Sequence, residues 1–229
     1  MPYFYDYWYF VLVVPAMLLA IGAQIFLKST YKRMASVLNM RGVTGAQAAY
    51  RVLQHYEISD VRIEQVSGTL TDHFDPRAKV IRLSAPVYSG TSIAAIGIAC
   101  HEAGHAAQHN RGYVPIKLRN ALVPIANIGS TIGIPLAIAG LFFNFDILVS
   151  IGLLLYASIA LFQFATLPVE FDASRRAIRV IDQTELLRAE ELPGAKKVLI
   201  AAALTYVAGL VVSIANLLRL FLRFNSRRD

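Results

Sequence analysis

Four long stretches of the chain are apolar and carry no charged residue. A helix rises 1.5 Å per residue, so about 20 residues cross a hydrocarbon core about 30 Å thick. The pattern therefore predicts an integral membrane protein with about four transmembrane helices. Each stretch is 21 to 26 residues long, and they lie between Asp6 and Lys28, Arg119 and Asp146, Asp146 and Glu170, and Lys197 and Arg219.

The first apolar stretch is expected to be a retained anchor. Aromatic residues crowd positions 3–10, as is typical of the headgroup region of a membrane. Positive charges at Lys28, Lys32 and Arg33 follow the apolar core, whereas a cleaved signal peptide carries them before it. The N-terminus is therefore predicted to lie outside.

The polar segment between the first two apolar stretches predicts a small α+β region. Thr44 suits the N-cap of an amphipathic helix running to about His55. Short strands are expected at 61–66, 69–71 and 79–84, with turns at 67–68 and 72–76. Thr91 or Ser92 is expected to cap a second helix, which should end near 110–112. The first helix is expected to place on one face Ala46, Ala49, Tyr50 and Leu53.

Prolines, glycines and charges divide the rest of the chain. Residues 144–146 predict a tight outer turn, and Pro168 is expected to end the third span before a charged helix at 170–191. A break is expected at 192–194. The last apolar run, 198–218, could cross fully, dip and return, or lead into an interfacial tail, and the sequence leaves these alternatives open.

The predicted fold class is mainly α, a polytopic membrane protein with about four transmembrane helices and a small cytoplasmic α+β region. Five segments are expected: an N-terminal transmembrane anchor at 1–27, a cytoplasmic region at 28–119, a transmembrane hairpin at 120–169, a cytoplasmic helix at 170–197, and a C-terminal hydrophobic helix with a basic tail at 198–229.

Composition agrees with a membrane location and argues against nucleic-acid binding. The chain is 56% hydrophobic, with a mean hydropathy of +0.50 and a formal net charge of +7. Of its 22 lysines and arginines, 12 fall in 28–119 and six in 168–197, the asymmetry of the positive-inside rule. Both polar segments are therefore expected to face the cytoplasm. The single cysteine, Cys100, excludes an internal disulfide and is expected to be buried packing.

The candidate chemistry lies in the second predicted helix, which carries His101-Glu102-Ala-Gly-His105. In a helix, residues i and i+4 share a face, so His101 and His105 can bind one zinc ion. Glu102 is expected to reach the attacking water rather than the metal and to serve as general base. The competing interpretation is a core helix that happens to carry two histidines.

A catalytic zinc site needs a third protein ligand. His109 would lie about 12 Å along the same helix from His101, which is too far to share one zinc ion. Glu170 is the better candidate, because it stands where the predicted transmembrane hairpin returns to the cytoplasmic side. Asp172 is its rival, and is otherwise expected to orient a ligand histidine through its ring N–H.

The residues quoted so far resemble those of a known family, the YugP-type neutral zinc metallopeptidases of bacterial membranes. The resemblance rests on the segments 101–109, 80–88 and 168–176, and it covers most of the chain. It implies an inner-membrane protein whose cytoplasmic α+β region is like that of zincin metalloproteases, with Zn²⁺ on His101, His105 and Glu170, and Glu102 as base. A more distant likeness is to membrane-embedded gluzincin proteases. These often place an aspartate four residues after the ligand glutamate, where this chain has Ser174.

The expected function is that of a membrane-embedded zinc endopeptidase, acting on polypeptides at the cytoplasmic membrane face in quality control or processing. If the fold is gluzincin-like, Val80–Ser84 is expected to be the edge strand beside the cleft, where an extended substrate could pair. The residues expected to orient the ligands are Asp172, Ser174 and His109. The alternatives are a membrane scaffold or chaperone-like protein with a structural zinc site, and a zinc hydrolase acting on a lipid or another amide.

Overall fold

The structure is a computed structural model that describes residues 6–225. Within that range the chain forms eight α-helices and three short β-strands, so the mainly helical fold class is confirmed. The helices are α1 (Val14–Ala35, preceded by a π-helical turn at Tyr9–Val13), α2 (Gly45–His55), α3 (Ala85–Tyr88), α4 (Ile93–Asn110), α5 (Val114–Ile128), α6 (Ile134–Phe143), α7 (Asp146–Gln183) and α8 (Leu192–Asn225). The strands are β1 (Arg62–Val66), β2 (His73–Asp75) and β3 (Val80–Ser84).

Four helical segments are long and apolar enough to cross a membrane, as the sequence predicts. They are Tyr9–Ala35, Val114–Phe143, Asp146–Gln183 and Leu192–Asn225. In the second, a π-helical turn at Gly129–Gly133 joins α5 to α6. The aromatic cluster at 3–10 lies partly outside the described residues, and so does the end of the basic tail.

Helix α7 corrects the predicted end of the third span. It runs without interruption through Pro168, which removes one backbone hydrogen bond but does not break the helix. Just beyond the proline, Val169, Ala173 and Ala177 are fully buried on one face, and this packing outweighs the lost bond. The helix ends at Gln183, so the charged segment 170–191 is not a separate helix.

Helix α8 corrects two further expectations. Pro193 and Gly194 lie in its first turn, where a proline costs no hydrogen bond, and the break falls instead at 184–191. The last apolar run is one continuous helix rather than a dip and return. At its far end Arg219 and Arg223 lie 3.2 Å and 2.8 Å from the Asp6 carboxylate, so the two ends of the described chain meet.

The sheet has the order β1-β3-β2, with β1 parallel and β2 antiparallel to β3. Val80–Ser84 is therefore the central strand, and the expectation of an edge strand there is wrong. The predicted strand at 69–71 is also wrong, since Gly68 and Leu70 adopt left-handed backbone angles that no strand accommodates. The second strand is instead His73–Asp75, within the predicted turn 72–76. Its tight connection to β3 forms where the Asp75 carboxylate accepts hydrogen bonds from the amides of Arg77 and Ala78.

Two helices begin where the sequence predicts. Thr44 caps α2 in a reciprocal capping box with Gln47, and Ser92 Oγ accepts a hydrogen bond from the amide of Ala95 at the start of α4. The buried face of α2 is partly different from the expected one. It consists of Ala48, Ala49, Val52 and Leu53, whereas Tyr50 is 55% exposed.

The chain divides into two compact units. The first comprises Met1–Gln24, Lys117–Leu167 and Leu204–Asp229, and the second comprises Ile25–Ile116 and Pro168–Ala203. In the second unit one hydrophobic core joins α2, α4, β3 and the C-terminal part of α7. Alanines and glycines on α4 allow the neighbouring helices to approach it closely. All the candidate metal-site residues belong to this second unit.

Candidate metal centre

Helix α4 places the two motif histidines side by side. Its apolar residues, among them Ile96, Ala99 and Ala103, are buried in the core of the second unit and fix which face the histidines occupy. The imidazole rings of His101 and His105 lie with their centroids 4.7 Å apart and their planes at 81°. Both rings are mostly buried, as is expected of ligands that must be held in one orientation.

Glu170 on α7 meets these rings. Its carboxylate is almost fully buried, with 3% of the residue exposed, and its Oε2 lies 3.3 Å from His101 Nε2 and 3.8 Å from His105 Nε2. The three candidate ligand atoms all fall within 4.8 Å of one another. Donors bound at 2.0–2.1 Å to a tetrahedral zinc ion stand about 3.3–3.4 Å apart. The two imidazoles and one carboxylate therefore fit a zinc ion in spacing and in chemistry.

Glu102 lies beside this group but is not part of it. Burial raises the pKa of Glu102 to about 7, and the carboxylates of Glu170 and Asp72 add to this rise, while His101 opposes it. The backbone amide of Phe74 in β2 lies near the Glu102 carboxylate and has a smaller, lowering influence on its pKa. A carboxyl group with a pKa near neutrality can both accept and release a proton, which is what a general base needs.

Ser174 supports His101 from the side opposite Glu170. Its Oγ lies 3.1 Å from His101 Nδ1, so the imidazole can donate from Nδ1 and keep its Nε2 lone pair for a metal. Ser174 occupies the position where gluzincins often have an aspartate, and the structure shows that the serine hydroxyl reaches the same ring nitrogen. Burial is the largest single influence on the pKa of His101 and lowers it. The hydrogen bond to Glu170 and the charge of Glu102 together outweigh burial, so the pKa of His101 is raised.

His105 is supported by a residue that the sequence analysis missed. Gln108 is completely buried and lies between His105 Nδ1, at 3.0 Å, and the Asp172 carboxylate, at 2.9 Å. Asp172 thus reaches a ligand histidine only through Gln108. The available signal was a glutamine one turn after His105, on a helix face that is otherwise apolar.

The other histidines and the cysteine lie elsewhere. His109 continues α4 one turn beyond the site, is exposed, and contacts the ring of Phe74 with centroids 5.9 Å apart. His55 and His73 are exposed, and neither belongs to the metal-ligating group found in residues 6–225. Cys100 is buried as expected, and burial raises the pKa of its thiol, which makes it a packing residue.

Comparisons with known proteins agree with this geometry. The sequence profile of the family described as "Putative neutral zinc metallopeptidase" matches residues 9–225. A relative in Bacillus subtilis (strain 168), "Putative membrane protease YugP", is 43% identical over 218 residues, which are 95% of this chain and 97% of the relative. No solved structure matches the chain.

Proposed function

This chain belongs to the putative neutral zinc metallopeptidase family, and from that membership we propose that it is a membrane-embedded zinc endopeptidase. The observation that carries the proposal is the position of Glu102, a partly buried carboxylate beside the His101, His105 and Glu170 group but outside it. A structural zinc site has no use for such a carboxylate. The scaffold alternative leaves Glu102 without a role.

His101, His105 and Glu170 would hold the zinc ion. Zinc in such a site polarises a carbonyl group and lowers the pKa of a water molecule to about 7. Glu102 takes a proton from the attacking water and delivers it to the leaving amine. Ser174 and Gln108 keep the two imidazoles oriented while this happens.

The edge strand β2 offers a place for the substrate backbone. This strand packs against α4, and its Phe74 lies close enough to Glu102 to influence that carboxylate, so the strand borders the candidate catalytic base. An extended polypeptide can add to such an edge by backbone hydrogen bonding. A polypeptide substrate held there would present a peptide bond beside Glu102. This proposal moves the substrate edge from Val80–Ser84 to His73–Asp75.

The active site is proposed to face the cytoplasm of a bacterial cell. Two polar segments connect the spans on this side, 36–113 and 184–191. Most of the lysines and arginines lie in these segments or in the span ends next to them, as the positive-inside rule requires of cytoplasmic segments. Glu170 is the first charged residue after the apolar stretch 147–169, so the site would lie near the end of a span. Such a site suits polypeptides at the membrane surface, and membrane-protein processing or quality control follows from this position.

The experiment compares Glu102→Gln with the wild type. Gln keeps the size of the side chain and can still accept a hydrogen bond, but it cannot take a proton at neutral pH. Loss of a general base costs about 10²–10⁴-fold in rate. We expect the variant to fold and bind zinc while cleavage of a fluorescently labelled unfolded polypeptide falls by that factor.

Glu57→Gln, at an exposed position in the same unit, is the matched control and should cleave like the wild type. Undiminished cleavage by Glu102→Gln would refute the mechanism. A wild type that binds zinc but cleaves neither soluble nor membrane-inserted polypeptides would favour the scaffold. Cleavage of a lipid amide alone would favour the hydrolase alternative.

A further inference from the structure

The buried contacts around His105 bear on which of its two ring nitrogens carries the proton. We propose that Gln108 is a positioning residue that fixes the tautomer of His105, so that its Nε2 presents a lone pair toward Glu170. This inference rests on the proposed function only in taking His105 as a zinc ligand. A side chain that only filled space at this position would not determine which nitrogen of His105 is protonated.

The orientation of the Gln108 amide follows from its neighbours. Its Nε2 lies 2.8 Å from the carbonyl oxygen of Val169 and 2.9 Å from Oδ2 of Asp172. A peptide carbonyl and an ionised carboxylate both accept hydrogen bonds, and neither can donate one. The nitrogen of the amide must therefore face α7, and the opposite orientation would set the amide oxygen against two acceptors.

This orientation determines the protonation of the imidazole. With Nε2 turned to α7, the Gln108 Oε1 lies 3.0 Å from His105 Nδ1. An amide oxygen accepts only, so Nδ1 must carry the proton and donate it. A neutral imidazole has one N–H, so Nε2 is left with the lone pair that a metal requires. Nε2 is the nitrogen that faces Glu170.

Asp172, which accepts a hydrogen bond from the Gln108 amide, is itself held in place. The same Oδ2 of Asp172 accepts a hydrogen bond from Arg176 Nε at 2.6 Å, one turn later on α7. The guanidinium of Arg176 lies 5.7 Å from the ring centre of Tyr113, which follows α4. Because Gln108 is fully buried, any rotation of its amide would leave polar groups without partners. The arrangement of His105, Gln108, Asp172 and Arg176 therefore has one stable set of donors and acceptors.

His101 differs from His105 in this respect. Its Nδ1 faces the hydroxyl of Ser174, which can donate or accept, so that contact does not select a tautomer. The two ligand histidines are thus supported by chemically different groups. The glutamine makes the selection at His105, and the serine only positions the ring of His101.

The first test uses the wild type. In metal-free protein labelled with ¹⁵N-histidine and kept alkaline enough for neutral imidazoles, the His105 signals, identified by their absence in His105→Ala, should show a protonated Nδ1. Observation of the opposite tautomer, or of rapid exchange between the two, would overturn the proposal without any change at Gln108.

The second test separates orientation from packing. Gln108→Leu keeps most of the volume but removes the acceptor, so the tautomer preference should be lost and zinc affinity, measured against a competing chelator, should fall about 10–100-fold. Gln108→Met keeps an unbranched side chain of similar length but also lacks the amide, and it should lose the tautomer preference and the affinity in the same way.

The exposed Gln54→Leu on α2 is the control and should match the wild type in both measurements. Wild-type zinc affinity and tautomer in folded Gln108→Leu would show that Gln108 only packs. A loss in Gln108→Leu together with wild-type tautomer and affinity in Gln108→Met would show the same, because Met restores the shape of the side chain without the acceptor. Neither measurement uses peptidase activity, so a chain without peptidase activity could still support this proposal, and an active one could still refute it.

Discussion

Gly104 faces the backbone carbonyl of Ala173 so closely that a methyl group at Gly104 would lie 2.7 Å from that oxygen. Gly104 precedes the ligand His105 on α4, and Ala173 follows Glu170 by three positions on α7. The backbones of the two helices that supply the candidate ligands therefore touch here. This contact sets the separation between the histidines and the glutamate.

Gly104→Ala should push α4 and α7 apart, because backbone atoms cannot move aside as the end of a side chain can. We expect a loss of about 1–3 kcal/mol in stability, the usual cost of overpacking. Zinc affinity should fall as well. Gly97→Ala on the same helix is the control, since its methyl group would meet Ala195 at an ordinary 3.5 Å. It should be neutral or stabilising by up to about 1 kcal/mol. Thermal unfolding in detergent measures both, and equal stability of the two variants would contradict the argument.

The metal content of the purified protein tests the ligands directly. The wild type is expected to carry about one zinc ion per chain, a prediction that elemental analysis checks. His101→Ala and His105→Ala should lose most of it. Glu170→Gln should bind zinc more weakly, because a neutral amide replaces an anionic ligand. His109→Ala, outside the site on the same helix, should retain zinc. Full retention in both variants at His101 and His105 would eliminate the site.

Ser174→Ala should weaken zinc binding about 10–100-fold, the usual effect of removing a hydrogen-bond partner of a ligand histidine. The physical reason is that His101 Nδ1 loses the hydroxyl that lies 3.1 Å away. Arg179→Ala, an exposed change on the same helix, is the control. Competition with a chelator gives both affinities. If Ser174→Ala and the control bind zinc equally tightly, the hydroxyl does not position the ring.

Zinc affinity should depend on pH in a direction that the pKa shifts define. The pKa of His101 is raised above its ordinary 6.5, and that of Glu102 to about 7, so the metal-free site holds protons near neutrality. Zinc requires a neutral imidazole and releases protons on binding. Affinity should therefore fall as the pH drops through about 7. In Glu102→Gln, which removes a charge that raises the pKa of His101, the fall should begin at lower pH. Calorimetric titration between about pH 8 and pH 5 measures this, and affinity that is constant or rises toward acid would contradict it.

Both ends of the chain should label from the same side of the membrane. The contacts of Asp6 with Arg219 and Arg223 bring the start of the described chain to the end of α8, which fits four complete crossings. Single cysteines at Tyr7, Asn144 and Asn225, in a Cys100→Ala background, should react with a membrane-impermeant reagent from outside. Cysteines at Lys32, Asp75 and Glu185 should react only after permeabilisation. Labelling of Asp75 and Glu185 from opposite sides would contradict the topology.

The sequence predicted most of the local structure, and two of its errors share one cause. Thr44 and Ser92 cap their helices as expected because capping depends on a few neighbouring residues. Pro168 was expected to end a helix, but buried residues on both sides of it keep α7 continuous. Likewise, His73–Asp75 has turn-forming composition, yet it pairs with β3. In both cases contacts between distant segments outweigh a local preference.

The sequence by itself determined four apolar spans and the residues His101, Glu102, His105 and Glu170 as a candidate zinc site. The spans follow from the length of apolar stretches, and the three motif residues follow from spacing along one helix, which are local quantities. Glu170 follows from its place at the end of the third apolar stretch. Only the tertiary structure decided that β2 rather than β3 is the edge strand near Glu102. It alone decided that Ser174 and Gln108 support the two imidazoles. The physical reason is that hydrogen bonds between α4 and α7 depend on the separation and rotation of two packed helices. Packing between residues that are 61 to 73 positions apart in the sequence fixes both.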